Sequence, residues 1–170
     1  AGLSDEAYNK KVAVIEQAVD RYWKATENSE IPEGPFFKID AAVELMSHLG
    51  GYEIAAMAGM CLGGAVFGVP IVLDGYISVA GALCASLINS ECTGYLLASH
   101  ISAEPAAWKV LRNLHLEPVI RAGMCLGEGT GAAAAMSLYD MGLAVYRQMG
   151  TFEDIHVTQY ENYAKKQAEK

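Results

Sequence analysis

The spacing of apolar residues along this chain predicts helices that alternate with short buried strands. Apolar positions that recur every three or four residues predict helices, and short runs of β-branched residues predict strands. The helices predicted in this way cover residues 4–24, 41–48, 52–67, 77–87 and 131–149, with another that starts at residue 105. The strand candidates are residues 69–73, residues 95–98 and a run that starts at residue 118.

Polar residues and proline set the expected ends of several helices. Ser4 is of a type that caps helix N-termini, and Asp40 is expected to cap the helix that starts at residue 41. Pro105 suits the first turn of its helix, because a residue there needs no N–H. Residues 26–35 have the composition of a loop.

Strands that alternate with helices predict right-handed crossovers and a parallel sheet. The expected fold class is therefore α/β, with a parallel, Rossmann-like sheet and flanking helices. Three short strands are few for an open sheet, which usually has about four to six. We expect an N-terminal segment or a partner to complete this sheet. Residues 1–150 are expected to form a portion of the α/β domain, and residues 151–170 a polar C-terminal tail.

Composition and charge limit the kinds of partner. The chain has 170 residues, of which 52% are hydrophobic and 19% charged, so most of it is expected to fold. The net charge of -8 argues against nucleic acid or an anionic membrane surface as the main partner. Ile54–Leu73 carries no charge and is long enough to span a membrane. Because this stretch is rich in Ala and Gly and is broken by Pro70, we predict a buried helix followed by a buried strand.

Cysteine usage predicts a reducing, cytoplasmic location. The four cysteines have no CxxC pair, and three of them lie in apolar surroundings typical of core residues. The chain also has no secretory leader pattern. The four histidines are scattered, so neither residue type predicts a metal site.

The candidate chemistry centres on Leu126-Gly127-Glu128-Gly129-Thr130-Gly131, which precedes a run of alanines. Glycines permit positive φ and let a ligand approach the main chain closely. Unpaired N–H groups at the start of the following helix favour an anion such as phosphate. Glu128 can then accept a proton from a bound substrate. The alternative is that Glu128 stabilises the start of the helix and takes no part in chemistry.

Ligands of parallel α/β sheets bind at the carboxyl ends of the strands. Three loops are therefore expected to converge there, namely Asp74–Gly75, Ser99–Glu104 and Gly127–Gly131. His100 is expected to be a hydrogen-bonded loop residue and not a catalyst.

Four stretches of the chain have distinctive sequences: Gly50–Ala56, Val69–Ile77, Ser99–Pro105 and Leu126–Ala132. In this order they resemble the nicotinate-nucleotide–dimethylbenzimidazole phosphoribosyltransferase family, which makes the lower-ligand nucleotide of cobalamin. The resemblance covers only the C-terminal half of that family. The family's first half, with a substrate-holding Gly-Glu-Met-Gly-Ile-Gly-Asn-Thr-Thr motif, has no counterpart here.

The resemblance implies a pentosyltransferase. Such an enzyme moves phosphoribosyl from nicotinate mononucleotide to 5,6-dimethylbenzimidazole or a related aromatic base, giving a nucleotide of the α-ribazole 5′-phosphate type. The reaction calls for no cofactor and no metal. The expected partners are these small molecules and the missing N-terminal half or a partner chain, within a homo-oligomer such as a dimer.

By the same resemblance, Glu128 matches the catalytic base of the family. Ser102, Gly127 and Gly129 match positions around the nucleotide phosphate and ribose, and Leu126 would line the pocket for the aromatic base.

Two further residues match family positions. Lys11 matches a phosphate-contacting lysine, although an exposed helix lysine is more often only solvated. Asp74 matches an aspartate whose role is structural or substrate-orienting. Ser102 or Glu104 could instead cap the helix that starts at Pro105.

The alternative function is a non-catalytic nucleotide-binding subunit or fragment that pairs with an active chain.

Overall fold

The computed structural model of the protein describes residues 4–26 and 37–158. The chain divides into two compact units, Ala1–Ala135 and Met136–Lys170. The helices are α1 Asp5–Thr26, α2 Phe37–Leu49, α3 Tyr52–Phe67, α4 Tyr76–Ile88, α5 Ala107–Asn113 and α6 Thr130–Gln148. The strands are β1 Ile71–Leu73 and β2 Leu96–Ala98, and a 3-10 helix, Ser90–Tyr95, precedes β2.

The predicted helices are present, and several begin or end where the sequence places them. Ser4 Oγ accepts a hydrogen bond from the Ala7 N–H at 3.3 Å, which confirms the predicted cap of α1. The bounds of α3 agree with the prediction of residues 52–67. This helix ends at Gly68, whose φ of 65° lies in the left-handed region that glycine adopts most easily.

Two predicted helix ends are wrong. Asp40 lies within the first turn of α2, which begins at Phe37, so it does not cap the helix. Pro105 lies before the first residue of α5. The N-cap residue of this helix is Ala106, and no side chain forms a capping hydrogen bond there. Neither Ser102 nor Glu104 therefore caps α5 with its side chain. The loop predicted over residues 26–35 lies almost wholly outside the described residues.

The sheet in the described residues is smaller than predicted. β1 and β2 are parallel, with Ile71 opposite Leu96 and Leu73 opposite Ala98, which confirms the parallel α/β fold. The third predicted strand is reduced to an isolated parallel bridge between Ile120 and His100, where Ile120 N–H donates to the Ser99 carbonyl at 3.0 Å and Ile101 N–H donates to the Ile120 carbonyl at 3.1 Å. Beyond this bridge Gly123 has a φ of 62°, and the Ala103 N–H donates to the Met124 carbonyl at 3.2 Å, so the two segments stay adjacent without forming a regular strand pair.

The core of the first unit consists mainly of small residues packed between α3, α4, the 3-10 helix and the strands. Gly81 of α4 lies against α3 so closely that a Cβ there would be 2.7 Å from Met57 Cβ. Cys61 and Cys92 are buried and Cys84 is half-buried, which confirms that three of the four cysteines are core residues. Burial raises the pKa of Cys61 to about 11, because the thiolate would lose its hydration.

The helix over residues 52–67 was predicted to be buried, and this is wrong for one of its faces. Ala58, Cys61 and Gly64 are buried, whereas Val66 and Phe67 are 79% and 82% exposed. Only the face with small residues packs against the core. Among the described residues, no helix is long and apolar enough to cross a membrane.

The second unit contains most of α6 and a turn after it. Thr151 N–H and Oγ1–H both donate to Asp154 Oδ2, at 2.7 and 2.8 Å. These hydrogen bonds hold the pKa of Asp154 below its usual value. The turn makes the start of the predicted tail an ordered structure, and residues 159–170 of that tail lie outside the described residues.

Candidate functional site

A cleft of about 340 Å³ lies at the carboxyl ends of β1 and β2. Its lining residues come from the three loops that the sequence predicted to converge, together with the start of α4 and one residue of α3. They are Met57, Asp74, Gly75, Tyr76, Ile77, Ser78, His100, Ser102, Glu104, Cys125, Leu126, Gly127 and Glu128. The predicted convergence of loops is therefore confirmed.

The Asp74 carboxylate holds the start of α6. Its Oδ2 accepts a hydrogen bond from the Gly129 N–H at 3.1 Å, and its Oδ1 accepts one from the Ala132 N–H at 2.9 Å. A carboxylate in this position satisfies N–H groups of the first turn and interacts favourably with the helix dipole. Asp74 therefore joins the end of β1 to the loop that precedes α6.

The Glu128 loop adopts a left-handed backbone at three successive residues. The φ angles of Gly127, Glu128 and Gly129 are 77°, 58° and 75°. Two of the three are glycine, which adopts such angles without steric cost, whereas Glu128 does so against the usual preference of its residue type. The Gly127 carbonyl accepts hydrogen bonds from Thr130 N–H and Oγ1–H, at 3.1 and 2.7 Å, which closes the loop.

The start of α6 differs from the prediction of unpaired N–H groups. The Ala132 N–H donates to Asp74 and the Thr130 N–H to Gly127, so both groups already have partners. The Gly129 N–H, in the loop before the helix, also donates to Asp74. The donors that the sequence assigned to a phosphate are thus largely engaged within the chain.

Glu128 differs from Asp74 because its side chain has no partner among the described residues. The Glu128 side chain is exposed, lines the cleft, and forms no hydrogen bond or ion pair with the described residues. The N–H groups that a helix-stabilising Glu128 would bind are held by Asp74 instead. Its carboxylate is therefore open to whatever enters the cleft.

Ser99 and His100 form the buried floor of the site, and sequence reasoning gave Ser99 no role. Ser99 Oγ–H donates to the Asp74 backbone carbonyl at 2.8 Å, and Ser99 Oγ also lies 3.0 Å from His100 Nδ1. The His100 ring packs against Gly131 so closely that a Cβ at Gly131 would overlap it. Two sequence features could have pointed to this buried floor. One is a small polar residue, Ser99, directly after a strand, and the other is a glycine, Gly131, in the first turn of a helix.

Ser102 and Glu104 form a local pair at the mouth of the cleft. Ser102 Oγ–H donates to Glu104 Oε2. This hydrogen bond is the main cause that holds the pKa of Glu104 below its usual value, and nearby His100 contributes less. The Ser102 hydroxyl proton, a predicted phosphate contact, is therefore engaged by a carboxylate.

The cleft has an acidic lining. Asp74, Glu104 and Glu128 contribute carboxylates, and none of the described residues that line the cleft is Lys or Arg. Lys11, predicted to contact phosphate, is exposed on α1 and is not among these lining residues.

Leu126 lines the cleft and is 74% exposed. Within the described residues, no group of three or more His, Cys, Asp or Glu side chains is placed to hold a metal ion.

Comparison with known proteins identifies the family. A family model described as a phosphoribosyltransferase matches residues 1–157. The nicotinate-nucleotide–dimethylbenzimidazole phosphoribosyltransferase of Acetivibrio thermocellus is 38% identical over 95% of this chain, which corresponds to 42% of that relative. Its namesake from Chlorobium chlorochromatii is 39% identical over 93% of this chain and 41% of its own length.

A solved structure agrees with the sequence relatives. The crystal structure of CobT from Thermus thermophilus superimposes with a TM-score of 0.75 and 31% identity, over 94% of this chain and 43% of that chain. This chain thus spans less than half the length of the proteins it matches. The matched region includes all three loops of the cleft, and the chain belongs to this phosphoribosyltransferase family.

Proposed function

We propose that this chain forms part of the active site of an enzyme that transfers phosphoribosyl from nicotinate mononucleotide to 5,6-dimethylbenzimidazole or a related aromatic base. The product is a nucleotide of the α-ribazole 5′-phosphate type, for the lower ligand of cobalamin. The names of the relatives support the reaction class. We assign the role of general base to Glu128.

The observation that carries this proposal is the difference between two carboxylates of one cleft. Both oxygens of Asp74 are bound by backbone N–H groups. Glu128 has no such partner within residues 4–26 and 37–158, and it lines the cleft on a loop with an unusual backbone conformation. Left-handed backbone at a residue other than glycine is kept where the surroundings enforce it, and such residues cluster at functional sites.

The chemistry requires an acceptor of this kind. When one nitrogen of the benzimidazole attacks C1′ of the ribose, nicotinate leaves and the new nucleotide carries a cationic ring. The proton on the other ring nitrogen becomes acidic as this charge develops. A carboxylate within hydrogen-bond reach of that N–H is then a sufficient base.

The acidic lining also suits the charges of this reaction. The pyridinium ring of nicotinate mononucleotide, the transition state at C1′ and the benzimidazolium ring before it loses its proton all carry positive charge, which nearby carboxylates stabilise. The same lining disfavours a phosphate. The phosphate would therefore need cationic groups or N–H donors from outside this cleft, and Lys11 or the rest of a complete enzyme is the source we propose.

We further propose that the missing N-terminal half or a partner chain completes the site. The complete protein would then be a homo-oligomer such as a dimer. The chain covers 42% of the length of a curated relative, and the sheet in its described residues has two strands. A cytoplasmic location fits the four free cysteines. If the chain only binds nucleotide for an active partner, Glu128 would have no catalytic role.

The test is to replace Glu128 with Gln in the chain combined with the remaining portion of a relative, after light scattering has shown an assembled complex. Gln keeps the shape of the side chain but cannot take the proton. General base catalysis contributes about 10²- to 10⁴-fold, so turnover per folded active site should fall by that factor. The melting temperature and the affinity for nicotinate mononucleotide should change little.

Glu117→Gln provides the matched control. It makes the same chemical change at an exposed residue that is ion-paired with Arg121 at 3.4 Å and does not line the cleft. Its turnover should equal that of the wild type. If Glu128→Gln lowered the melting temperature and kept normal turnover, Glu128 would be a structural residue and the catalytic assignment would be wrong.

A further inference from the structure

The mechanism proposed above leaves His100 without a role, although its side chain lines the cleft. His100 follows β2 and is only 4% exposed. Its ring lies over Gly131, and a Cβ at Gly75 would be 3.7 Å from His100 Nε2. The imidazole is therefore held between the end of β1 and the start of α6, in contact with both walls of the site.

The hydrogen bonds of Ser99 determine which ring nitrogen carries the proton. A serine hydroxyl has one proton. Ser99 donates it to the Asp74 carbonyl, which can only accept. The contact of 3.0 Å between Ser99 Oγ and His100 Nδ1 is then a hydrogen bond only if Nδ1 is the donor. In the neutral imidazole, a proton on Nδ1 leaves Nε2 with a free lone pair.

His100 Nε2 is thus a fixed hydrogen-bond acceptor. The ring forms no other hydrogen bond with the described residues, so this nitrogen is available to a ligand in the cleft. Among the residues that line the same cleft, Glu104 and Glu128 present carboxylates, which are also acceptors. A ligand that fits these surroundings must present hydrogen-bond donors.

We propose that His100 Nε2 binds a ribose hydroxyl of the phosphoribosyl donor and so positions C1′ for attack. The choice of group rests on the proposed function. Nicotinate mononucleotide has an ionised phosphate, an ionised carboxylate and a pyridinium ring without an N–H, so its 2′- and 3′-hydroxyls are its only donors. The single N–H of the benzimidazole is already assigned to Glu128.

Two substitutions of His100 separate this role from a structural one. His100→Asn places an amide N–H near the position of Nδ1 and keeps the hydrogen bond to Ser99, but removes the acceptor at Nε2. His100→Gln places its amide oxygen near the position of Nε2 and loses the bond to Ser99. A binding role predicts weaker nicotinate mononucleotide binding by His100→Asn than by His100→Gln. A purely structural role predicts the reverse order.

Calorimetric titration of the assembled protein measures this affinity without any need for turnover. We expect His100→Asn to raise the Kd for nicotinate mononucleotide roughly two- to tenfold, which is the usual effect of losing one hydrogen bond. The wild type should bind either the 2′-deoxy or the 3′-deoxy analogue more weakly by a similar factor. His100→Asn should show no additional loss for that same analogue.

The tautomer is tested on the 170-residue chain by long-range ¹H–¹⁵N correlation spectra of the His100 ring. The expected spectrum has a protonated Nδ1 and an unprotonated Nε2, and Ser99→Ala should increase the Nε2–H form. A protonated Nε2 in the wild type would overturn the proposal.

Additive losses from His100→Asn and from both deoxy analogues would also overturn it while leaving the proposed function intact. Absence of nicotinate mononucleotide binding by the wild-type assembly would instead remove both.

Discussion

The inner layer and the rim of the cleft are built in different ways. We define the inner layer as Asp74, Ser99, His100 and Gly131, and the rim as Ser102, Glu104, Leu126 and Glu128. Ser99 and His100 are 0% and 4% exposed, whereas Leu126 is 74% exposed. The rim contains one local hydrogen bond, and the inner layer contains bonds between residues 25 to 58 positions apart in the chain.

This difference separates the residues that shape the site from those that are free to meet substrate. Asp74 and Ser99 of the inner layer are hydrogen-bonded to neighbouring loops, and the two bonds of Asp74 set the backbone of the Glu128 loop before any ligand arrives. For the general-base role proposed above, a carboxylate preorganised in this way would need little rearrangement. We expect substitutions of Asp74, Ser99 and Gly131 to lower stability and substitutions in the rim to change chemistry, whereas His100, which contacts both walls and faces the cleft, is expected to affect binding as well. Three further predictions test this division, beginning with the largest expected effect.

Gly131→Ala should be the most destabilising of the three changes. Its added Cβ overlaps the His100 ring, which is buried and packed between Gly75 and Gly131. Overpacking of this kind costs about 1–3 kcal/mol and outweighs the gain of roughly 1 kcal/mol from helix propensity. Chemical denaturation should therefore give a lower free energy of unfolding.

Gly142→Ala is the matched control for this measurement. Gly142 also lies in α6, but a Cβ there would meet no atom within 4 Å. This variant should be as stable as the wild type or more stable by up to about 1 kcal/mol. If both variants had the same stability, the tight contact between Gly131 and His100 would not exist in solution.

Asp74→Ala should have a smaller but clear effect. It removes both acceptors from the start of α6, and loss of a helix cap costs about 0.5–2 kcal/mol. Asp74→Asn keeps one acceptor and should lose less. Amide hydrogen exchange at Gly129 and Ala132 should become faster in both variants. Unchanged exchange rates would mean that Asp74 does not hold the loop.

Ser102→Ala tests the rim and should have the smallest effect on stability, within about 0.5 kcal/mol. The hydrogen bond from Ser102 holds the pKa of Glu104 below its ordinary value of 4.5. Because the folded state lowers this pKa, the pair contributes stability above pH 4.5 that is lost as the pH falls through the folded pKa.

The measurement for this last variant is a carbon-detected NMR titration of Glu104. The substitution should raise the pKa of Glu104 towards 4.5, and the stability difference from the wild type should disappear in acid. Thermal melts at neutral and low pH provide the second readout. A large loss of stability at neutral pH would place Ser102 in the inner layer.

Local patterns in the sequence were sufficient for much of the fold. The apolar spacing of residues 52–67 predicted α3 with its observed bounds, because helix periodicity and a following glycine are both local signals. The glycines around Glu128 likewise predicted positive φ, which the loop adopts. Alternating strands and helices predicted a parallel arrangement and hence the edge of the sheet where three loops meet.

Contacts between distant segments decided the rest. The apolar run at residue 118 pairs beside β2 through a single bridge and does not extend into a strand, because the length of a strand depends on how a distant segment lies beside it, and Gly123 with its φ of 62° follows the bridge closely. The start of α6 is held by Asp74 from 58 positions away, although the nearer carboxylate was Glu128. No local pattern encodes such a choice, since it depends on which loops the folded chain brings within hydrogen-bond distance. The structure thereby leaves the Glu128 side chain without a hydrogen bond or ion pair to the described residues and brings the His100 ring to the same cleft.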